Sequence, residues 1–249
     1  MTLFVVPYHQ AERLPSAHIP LPSGASAVTV TPRSTDGDLW QRLASLYDTL
    51  AAWVAKDVSD GIVPVVVSGD CLVSLGVVTG VQRAGVDPSI IWFDAHGDVH
   101  TVESSGSGYL GGMSLRLVLG GNYDLIGEQL GLRPLAEDKA VLVDARDLDP
   151  AEAEYLASSQ VRRYPVDKVE IPDGPLILHV DVDIIDASEL PGLLFPVPAG
   201  PSTSAVLDTI RRIIAEGDVI ALDIALPWHP SPEHHEIRAR LVAELIATP

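Results

Sequence analysis

The sequence has little cysteine and few basic residues. Cys71 is the single cysteine among 249 residues, which excludes an internal disulfide and is typical of a reducing compartment, so a cytoplasmic protein is expected. The sequence contains 16 Lys and Arg and 34 Asp and Glu, which gives a net charge of −18. This charge argues against nucleic acid or an anionic membrane surface as a partner.

The sequence also lacks long apolar runs. No stretch of about 20 apolar residues is present, which predicts that no transmembrane helix forms. The N-terminal apolar run that ends at Pro7 lacks the basic residues of a signal peptide and is interpreted as a first strand. With 47% hydrophobic and 20% charged residues, the composition is that of a folded globular protein, and residues 1–249 are predicted to form one domain.

Short runs rich in Val and Ile recur along the chain and are typical of buried parallel strands. They lie at residues 2–6, 62–67, 90–93, 140–143, 175–182 and 219–225, and weaker strands are predicted at 27–30 and 160–166. Two stretches, 38–56 and 202–216, have the periodicity of amphipathic helices. The first places these apolar side chains on one face: Leu39, Leu43, Leu46, Leu50 and Trp53. Alternating strands and helices predict an α/β fold with a mostly parallel sheet of about eight strands.

Polar segments follow four of the predicted strands. They read SGDC at 68–71, DAHGDVH at 94–100, DARDLD at 144–149 and DVDIID at 181–186. Because ligands of open α/β sheets bind outside the carboxyl ends of the strands, acidic residues and a histidine are expected to meet at one edge of this sheet.

Two of these segments place acidic residues two positions apart. Asp94, His96 and Asp98 alternate with small residues, so an extended backbone would direct all three side chains to the same side. Asp181 and Asp183 repeat this spacing at another strand end. Four carboxylates near a core require neutralisation, and two divalent cations would supply it.

At these residues the chain resembles the ureohydrolases, the family of arginase and agmatinase. SGDCLVSLG is similar to the family's GGDH block, FDAHGDVHT to its DAHxD block, and HVDVDIIDASELPG to its SxDxDxxDP block. The resemblance implies a three-layer α/β/α arginase-like fold, a binuclear manganese centre, a small-molecule substrate and assembly into a homo-oligomer. It also implies hydrolysis of a C–N bond by metal-bound hydroxide.

The resemblance also implies which residues would act at the site. The first metal would be held by Cys71, Asp94, Asp98 and Asp181, and the second by Asp94, His96, Asp181 and Asp183. Asp98 is further given a catalytic role, Ser107 matches the substrate loop at 104–113, and Asp149 matches an acid that holds the substrate's amino group. The other histidines lie outside any ligand spacing and are predicted to be structural or exposed: His9, His18, His179, His229, His234 and His235.

Three positions depart from the family pattern. Cys71 replaces a histidine, and its softer sulfur makes Zn, Co or Fe possible beside Mn. Gly111 replaces a histidine that shuttles protons, and His100 is the predicted substitute. Leu226 replaces the glutamate that pairs with the guanidinium group, which favours a neutral or weakly basic group.

These departures keep several functions open. The hydroxyarginine hydrolase branch, from the D-cycloserine pathway, is similar in having Cys in the first motif and a GYLGGM-like loop, although it retains the final Glu. We expect hydrolysis of a guanidino, N-hydroxyguanidino or amide-type substrate. The alternative is a catalytically silent, metal-binding relative that acts as a structural or regulatory subunit. Covalent thiol catalysis by Cys71 and His96 is disfavoured, because the surrounding acids oppose a thiolate.

Overall fold

The computed structural model describes residues 1–15 and 18–248. In chain order its strands and helices are β1 (Thr2–Val6), β2 (Tyr8–His9), β3 (Glu12–Arg13), β4 (Val28–Thr29), α1 (Leu39–Ser59), β5 (Pro64–Ser68), α2 (Ser74–Arg83), β6 (Ser89–Asp94), α3 (Ser114–Val118), α4 (Tyr123–Leu130), β7 (Ala140–Asp144), α5 (Pro150–Ser158), β8 (Arg162–Tyr164), β9 (Pro175–Asp181), α6 (Thr203–Glu216), β10 (Asp218–Ala225) and α7 (His235–Ile246).

Eight of the strands form one sheet in the order β4-β1-β5-β10-β9-β6-β7-β8. Every neighbouring pair is parallel, so all carboxyl ends meet at one edge. β2 and β3 form a separate antiparallel hairpin. This order places β5, β10, β9 and β6 side by side in the middle of the sheet, with the acidic segments after β5, β6 and β9 close together.

Helices cover both faces of the sheet. Along β5, Val66 packs with side chains of α1 and α2, whereas Val65 and Val67 pack with side chains of α6 and α7. The alternation follows from the two-residue period of a strand, which sends successive side chains to opposite faces. The predicted three-layer α/β/α architecture is therefore confirmed.

Helix α1 shows where the periodicity prediction succeeds and where it fails. Its start is fixed by a capping box, in which the Asp38 carboxylate accepts from Gln41 N at 2.9 Å and Gln41 Oε1 accepts from Asp38 N at 2.9 Å. Trp53 was predicted on the buried face but is 45% exposed, and Val54 is buried in its place. The step of four residues from Leu50 fits the 3.6-residue turn better, and it leaves Trp53 at the margin of the buried face.

The predicted strands all form, with bounds that differ by no more than two residues. Periodicity did not identify the hairpin β2–β3 or helices α2, α3, α4, α5 and α7. Several of these helices are short, and α2 is almost entirely buried, so it lacks the polar face on which an amphipathic pattern depends. Within the described part of the chain, no helix is both long and apolar enough to cross a membrane.

Candidate active site and metal centre

A cavity of about 460 Å³ lies at the carboxyl edge of the sheet. All nine residues that the sequence predicted for the site line it: Cys71, Asp94, His96, Asp98, His100, Ser107, Asp149, Asp181 and Asp183. They come from segments that are up to 112 positions apart in sequence, since Cys71 and Asp183 are the first and last of them. The parallel sheet is what brings these segments together.

Three strand ends that lead into the cavity share one local structure. In each, an Asp carboxylate accepts a hydrogen bond from the backbone N–H two residues later, an arrangement that short acidic side chains favour in turns. The donors and acceptors are Leu72 N to Asp70 Oδ1 at 3.0 Å, His96 N to Asp94 Oδ1 at 2.7 Å, and Asp183 N to Asp181 Oδ1 at 2.8 Å. The turns at Asp94 and Asp181 begin at the last residues of β6 and β9, and the turn at Asp70 begins two residues after β5 ends. All three hold carboxylates of residues that line the cavity.

The predicted extended backbone from Asp94 to Asp98 is wrong. β6 ends at Asp94, the chain bends at the next two residues, and Asp98 has φ = 54°, in the left-handed region. The carboxylate of Asp94 competes for the His96 N–H and so ends the strand. The three side chains still reach one cavity, but they do so through a turn and not through alternation.

Among the described residues, three groups of side chains could each hold a cation: two of them share Asp94, and the third consists of His100, Asp149 and Glu152. Cys71, Asp94 and Asp98 form the first, and Asp94, His96 and Asp183 form the second, with the potential ligand atoms of each group all within 4.8 Å of one another. His96 Nδ1 lies 3.3 Å from Asp94 Oδ1 and 3.2 Å from Asp183 Oδ2. Asp94 belongs to both groups, as expected for a residue that bridges two ions.

Asp181 connects the two groups. Its Oδ2 accepts a hydrogen bond from the Cys71 thiol at 2.8 Å, and its Oδ1 accepts from Asp183 N at 2.8 Å. It therefore contacts one member of each group, at the position where the sequence predicts a second bridging ligand. Trp92 helps to orient Asp94, because its indole Nε1 donates to Asp94 Oδ2 at 3.1 Å.

The buried carboxylates strongly perturb one another. Burial, followed by the charges of neighbouring carboxylates, raises the pKa of Asp98 and Asp181 well above the ordinary range. Burial and the charge of Asp94 raise the pKa of Asp183 to about 6. Burial also lowers the pKa of His96, but hydrogen bonds to Asp183 and Asp94 outweigh it and raise this pKa to about 12.

These perturbations test whether the residues fit a metal centre. Asp94, Asp98, Asp181 and Asp183 are each no more than 5% exposed, and His96 is their cationic neighbour. Among the described residues, Asp98 Oδ2 is buried without any hydrogen-bond partner. An excess of buried acid with an unsatisfied oxygen is stable when cations are supplied, so the donor set fits divalent ions. To act as ligands, His96 and Cys71 would release their protons.

A further polar group stands beside these ligands. His100 Nε2 lies 3.0 Å from Asp149 Oδ2 and 3.9 Å from Glu152 Oε2, and its Nδ1 lies 3.0 Å from Ser104 Oγ. Glu152 lines the cavity but was missed from the sequence. The spacing Asp149-x-x-Glu152 at the start of α5 is a capping-box signal that could have identified it, because Asp149 N donates to Glu152 Oε2 at 3.1 Å.

Two aromatic side chains form another wall; one lies in the predicted substrate loop at 104–113 but was not singled out, and the other was missed from the sequence. Tyr109 and Phe195 line the cavity with ring centroids 4.8 Å apart. Ser107 is exposed, and its hydroxyl accepts from Tyr109 N at 3.2 Å. Phe195 lies in an irregular segment between β9 and α6, where no pattern in the sequence points to the cavity.

Leu226 is fully buried in the core beneath the cavity, and Pro227 is the residue of that segment that lines it. The wall at this position is therefore apolar. Of the histidines predicted to be structural, His179 is buried, pairs with Asp223 at 2.7 Å and stacks on Trp92. His9 instead approaches the cavity wall, since its Nε2 lies 3.4 Å from the Tyr109 hydroxyl.

Comparison with known proteins agrees with this geometry. The family model described as "Arginase family" matches residues 26–248. The N(omega)-hydroxy-L-arginine amidinohydrolase of Streptomyces lavendulae is 34% identical over 74% of this chain and 67% of its own length. The arginase of Eremothecium gossypii is 32% identical over 71% of this chain, and that of Bacillus caldovelox is 31% identical over 72%. The chain spans only 49% and 65% of the lengths of these two arginases.

Solved structures show the same fold. The arginase of Bacillus cereus superposes with a TM-score of 0.82 at 21% identity, covering 99% of this chain and 96% of that one. A putative agmatinase from Clostridium difficile gives a TM-score of 0.71 at 16% identity, with 98% and 93% covered. Since the family model spans most of the chain, this protein belongs to the arginase family.

Proposed function

We propose that this protein hydrolyses a C–N bond in a small guanidino-type substrate with the help of two divalent metal ions. The observation that carries the proposal is the pair of acid-rich groups that share Asp94 and are linked through Asp181. Cys71 and Asp98 complete the first site, and His96 and Asp183 complete the second. Manganese is the ion we expect, with Zn, Co or Fe as alternatives because of the thiol.

Different residues of the cavity have different roles in the proposed reaction. The two cations, when bound, supply Lewis-acid activation of water and neutralise the carboxylates. Asp98 Oδ2 has no hydrogen-bond partner in the part of the chain that the structure describes, so it is available to hold a proton during attack. Asp149 and Glu152 offer carboxylate oxygens at the cavity wall that suit an ammonium group on the substrate. Assembly into a homo-oligomer stays a prediction from the family.

The apolar wall near Pro227 bears on how basic the reacting group of the substrate is. A guanidinium ion would lie there against apolar surface, because Leu226 provides no carboxylate and its side chain is buried below. Desolvating a full positive charge without a counterion is costly. An N-hydroxyguanidine is less basic than a guanidine, so we propose a substrate whose reacting group is weakly basic.

A substrate panel tests this function. The manganese-loaded protein would be assayed with L-arginine, Nω-hydroxy-L-arginine, a ureido analogue and an amide analogue. We expect turnover with the hydroxyguanidine at a kcat/KM about tenfold or more above that for L-arginine, equivalent to about 1.4 kcal/mol of transition-state stabilisation. An Asp94→Ala variant, prepared in parallel, provides the background rate.

Three results would change this view. Preference for L-arginine would contradict the weakly basic substrate while leaving the hydrolase intact. Two bound metals with background turnover on the whole panel would favour a catalytically silent relative. Absence of metal after manganese loading would contradict the metal centre itself.

Cys71 provides a separate prediction about pH. A thiolate ligand adds a negative charge that a neutral histidine does not add, and a less positive site makes water harder to ionise. We therefore expect Cys71→His to shift the alkaline-rising limb of the kcat profile to lower pH. The measurement is kcat between pH 6 and pH 10 at constant metal occupancy, and an unchanged profile would contradict the charge argument.

A further inference from the structure

The hairpin β2–β3 packs onto the loop that follows β5 and carries a histidine to the cavity wall. Gly69 N donates to Tyr8 O at 3.1 Å, and Gln10 N donates to the Asp70 carboxylate. His9 Nδ1 lies 3.1 Å from Gly69 O. These contacts join the hairpin to the segment that contains Cys71, so His9 is held close to the proposed site.

The hydrogen bonds of His9 define its tautomer. A carbonyl oxygen only accepts, so the contact with Gly69 O requires a proton on Nδ1. Nε2 then faces the Tyr109 hydroxyl at 3.4 Å, and the two rings are stacked with centroids 5.7 Å apart and planes 20° apart. Neutral His9 accepts from this hydroxyl, and protonated His9 donates to it. The same geometry serves both states.

The position of the Tyr109 ring depends on the absence of a side chain at Gly111. A Cβ built at position 111 would overlap the Tyr109 ring and its hydroxyl group, so a glycine is required for the ring to lie where it does. Tyr109 lines the cavity together with the acidic residues. Burial, then the charges of Asp70 and Cys71, raise the pKa of Tyr109, so its hydroxyl keeps its proton.

His100 is less free to move a proton. Its Nε2 is engaged by Asp149 at 3.0 Å and its Nδ1 by Ser104 Oγ at 3.0 Å. Both ring nitrogens are therefore committed to neighbours at the cavity wall. His9 differs at Nε2, because its partner there is a hydroxyl group, which can both donate and accept, whereas the partner of His100 Nε2 is a carboxylate.

We propose that Tyr109 and His9 form a relay that delivers the proton needed by the leaving nitrogen; this rests on the proposed hydrolase function. An O–C bond forms from water while the C–N bond breaks and its electron pair moves to nitrogen. That nitrogen takes the proton of the Tyr109 hydroxyl, which regains one from Nε2 of protonated His9. His9 recovers its proton from solvent, and the proton lost by water leaves through a cavity carboxylate.

Three variants test the relay in the metal-loaded protein: His9→Ala, Tyr109→Phe and the double variant. Each single change is expected to lower kcat about 100-fold, with KM changed by less than about twofold, because only proton transfer is lost. The double variant is expected to lose no more than either single one, since both act in one path. Added imidazole is expected to restore part of the kcat of His9→Ala.

The basicity of the leaving group separates proton transfer from a structural effect. With a nitroaryl guanidine, whose leaving amine is weakly basic, the loss in each variant is expected to shrink to below about threefold. Bound metal, measured by mass spectrometry, should equal that of the wild type. His235→Ala and Tyr164→Phe are matched controls at an exposed and a half-buried position that do not line the cavity, and both should retain wild-type kcat.

Each remaining outcome is decisive. Unchanged kcat in the variants, equal losses with both leaving groups, or multiplicative losses in the double variant would overturn the relay and leave the hydrolase standing. A wild-type protein that is inactive on every substrate would overturn the hydrolase and the relay together. Loss of metal in a variant would assign that residue to the structure of the site and overturn its part in proton transfer.

Discussion

Replacing Asp181 by asparagine is expected to lower kcat/KM by about 1,000-fold, the largest effect of any single change considered. The substitution preserves side-chain size but removes a charge from the residue that contacts both ligand groups. Metal-ion catalysis supplies several kcal/mol of transition-state stabilisation, and about 1.4 kcal/mol corresponds to a factor of ten. Steady-state kinetics and metal content by mass spectrometry would be measured on the same preparation, and we expect fewer than two ions per chain.

An exposed acid provides the control. Asp173→Asn makes the same chemical change at a solvent-exposed position between β8 and β9, and it should leave both metal content and kcat/KM unaltered. Full occupancy and full activity in Asp181→Asn would show that the carboxylate of Asp181 is not a bridging ligand.

The second large effect concerns stability without metal. In the metal-free protein the pKa values of Asp98 and Asp181 are raised by burial and by neighbouring acids, that of Asp183 is raised to about 6 and that of His96 to about 12. The native state therefore binds more protons than the unfolded state from about pH 4 upward, which makes stability fall as pH rises. We expect Tm of chelator-treated protein to fall by about 5 °C or more between pH 5 and pH 8.

Bound metal should counteract the fall of Tm with rising pH. Because ligands bind metal in their deprotonated forms, saturating manganese is expected to raise Tm more at pH 8 than at pH 5. Asp98→Asn removes one buried acid, so its metal-free form should lose less stability over the same range. Thermal unfolding followed by circular dichroism gives Tm for all three samples: metal-free wild type, manganese-loaded wild type and metal-free Asp98→Asn. A Tm of metal-free wild type that stays constant or rises from pH 5 to pH 8 would contradict the argument.

The arrangement of the sheet was predictable because its strands are buried on both faces. Strands such as β5, with the sequence PVVVS, and β6, with SIIWFD, read as short apolar runs, and the polar residues after them mark the carboxyl edge. Because parallel strands align their ends, the sequence alone places Cys71, Asp94 and Asp181 at one edge of the sheet. Their closeness along that edge depends on the strand order, which spacing in the sequence does not reveal.

The local shape of the site was less predictable. Whether Asp98 lies on an extended or a left-handed backbone depends on competition for the His96 N–H, which spacing does not reveal. His9 and Tyr109 are 100 positions apart and meet only because a two-residue strand turns back onto the loop after β5. Such contacts depend on tertiary packing, so single-residue patterns contain no signal for them.

The turns at the three strand ends also determine why the acid there is aspartate and not glutamate. In each turn the Asp side chain, the backbone and one hydrogen bond together close a ring. The single methylene of the Asp side chain sets the size of this ring. A glutamate would enlarge the ring by one atom, so the backbone N–H two residues later would lose the short acidic partner that this turn favours. The backbone thus selects the length of the acid independently of any ion, and Asp70, Asp94 and Asp181 are constrained by chain geometry as much as by chemistry.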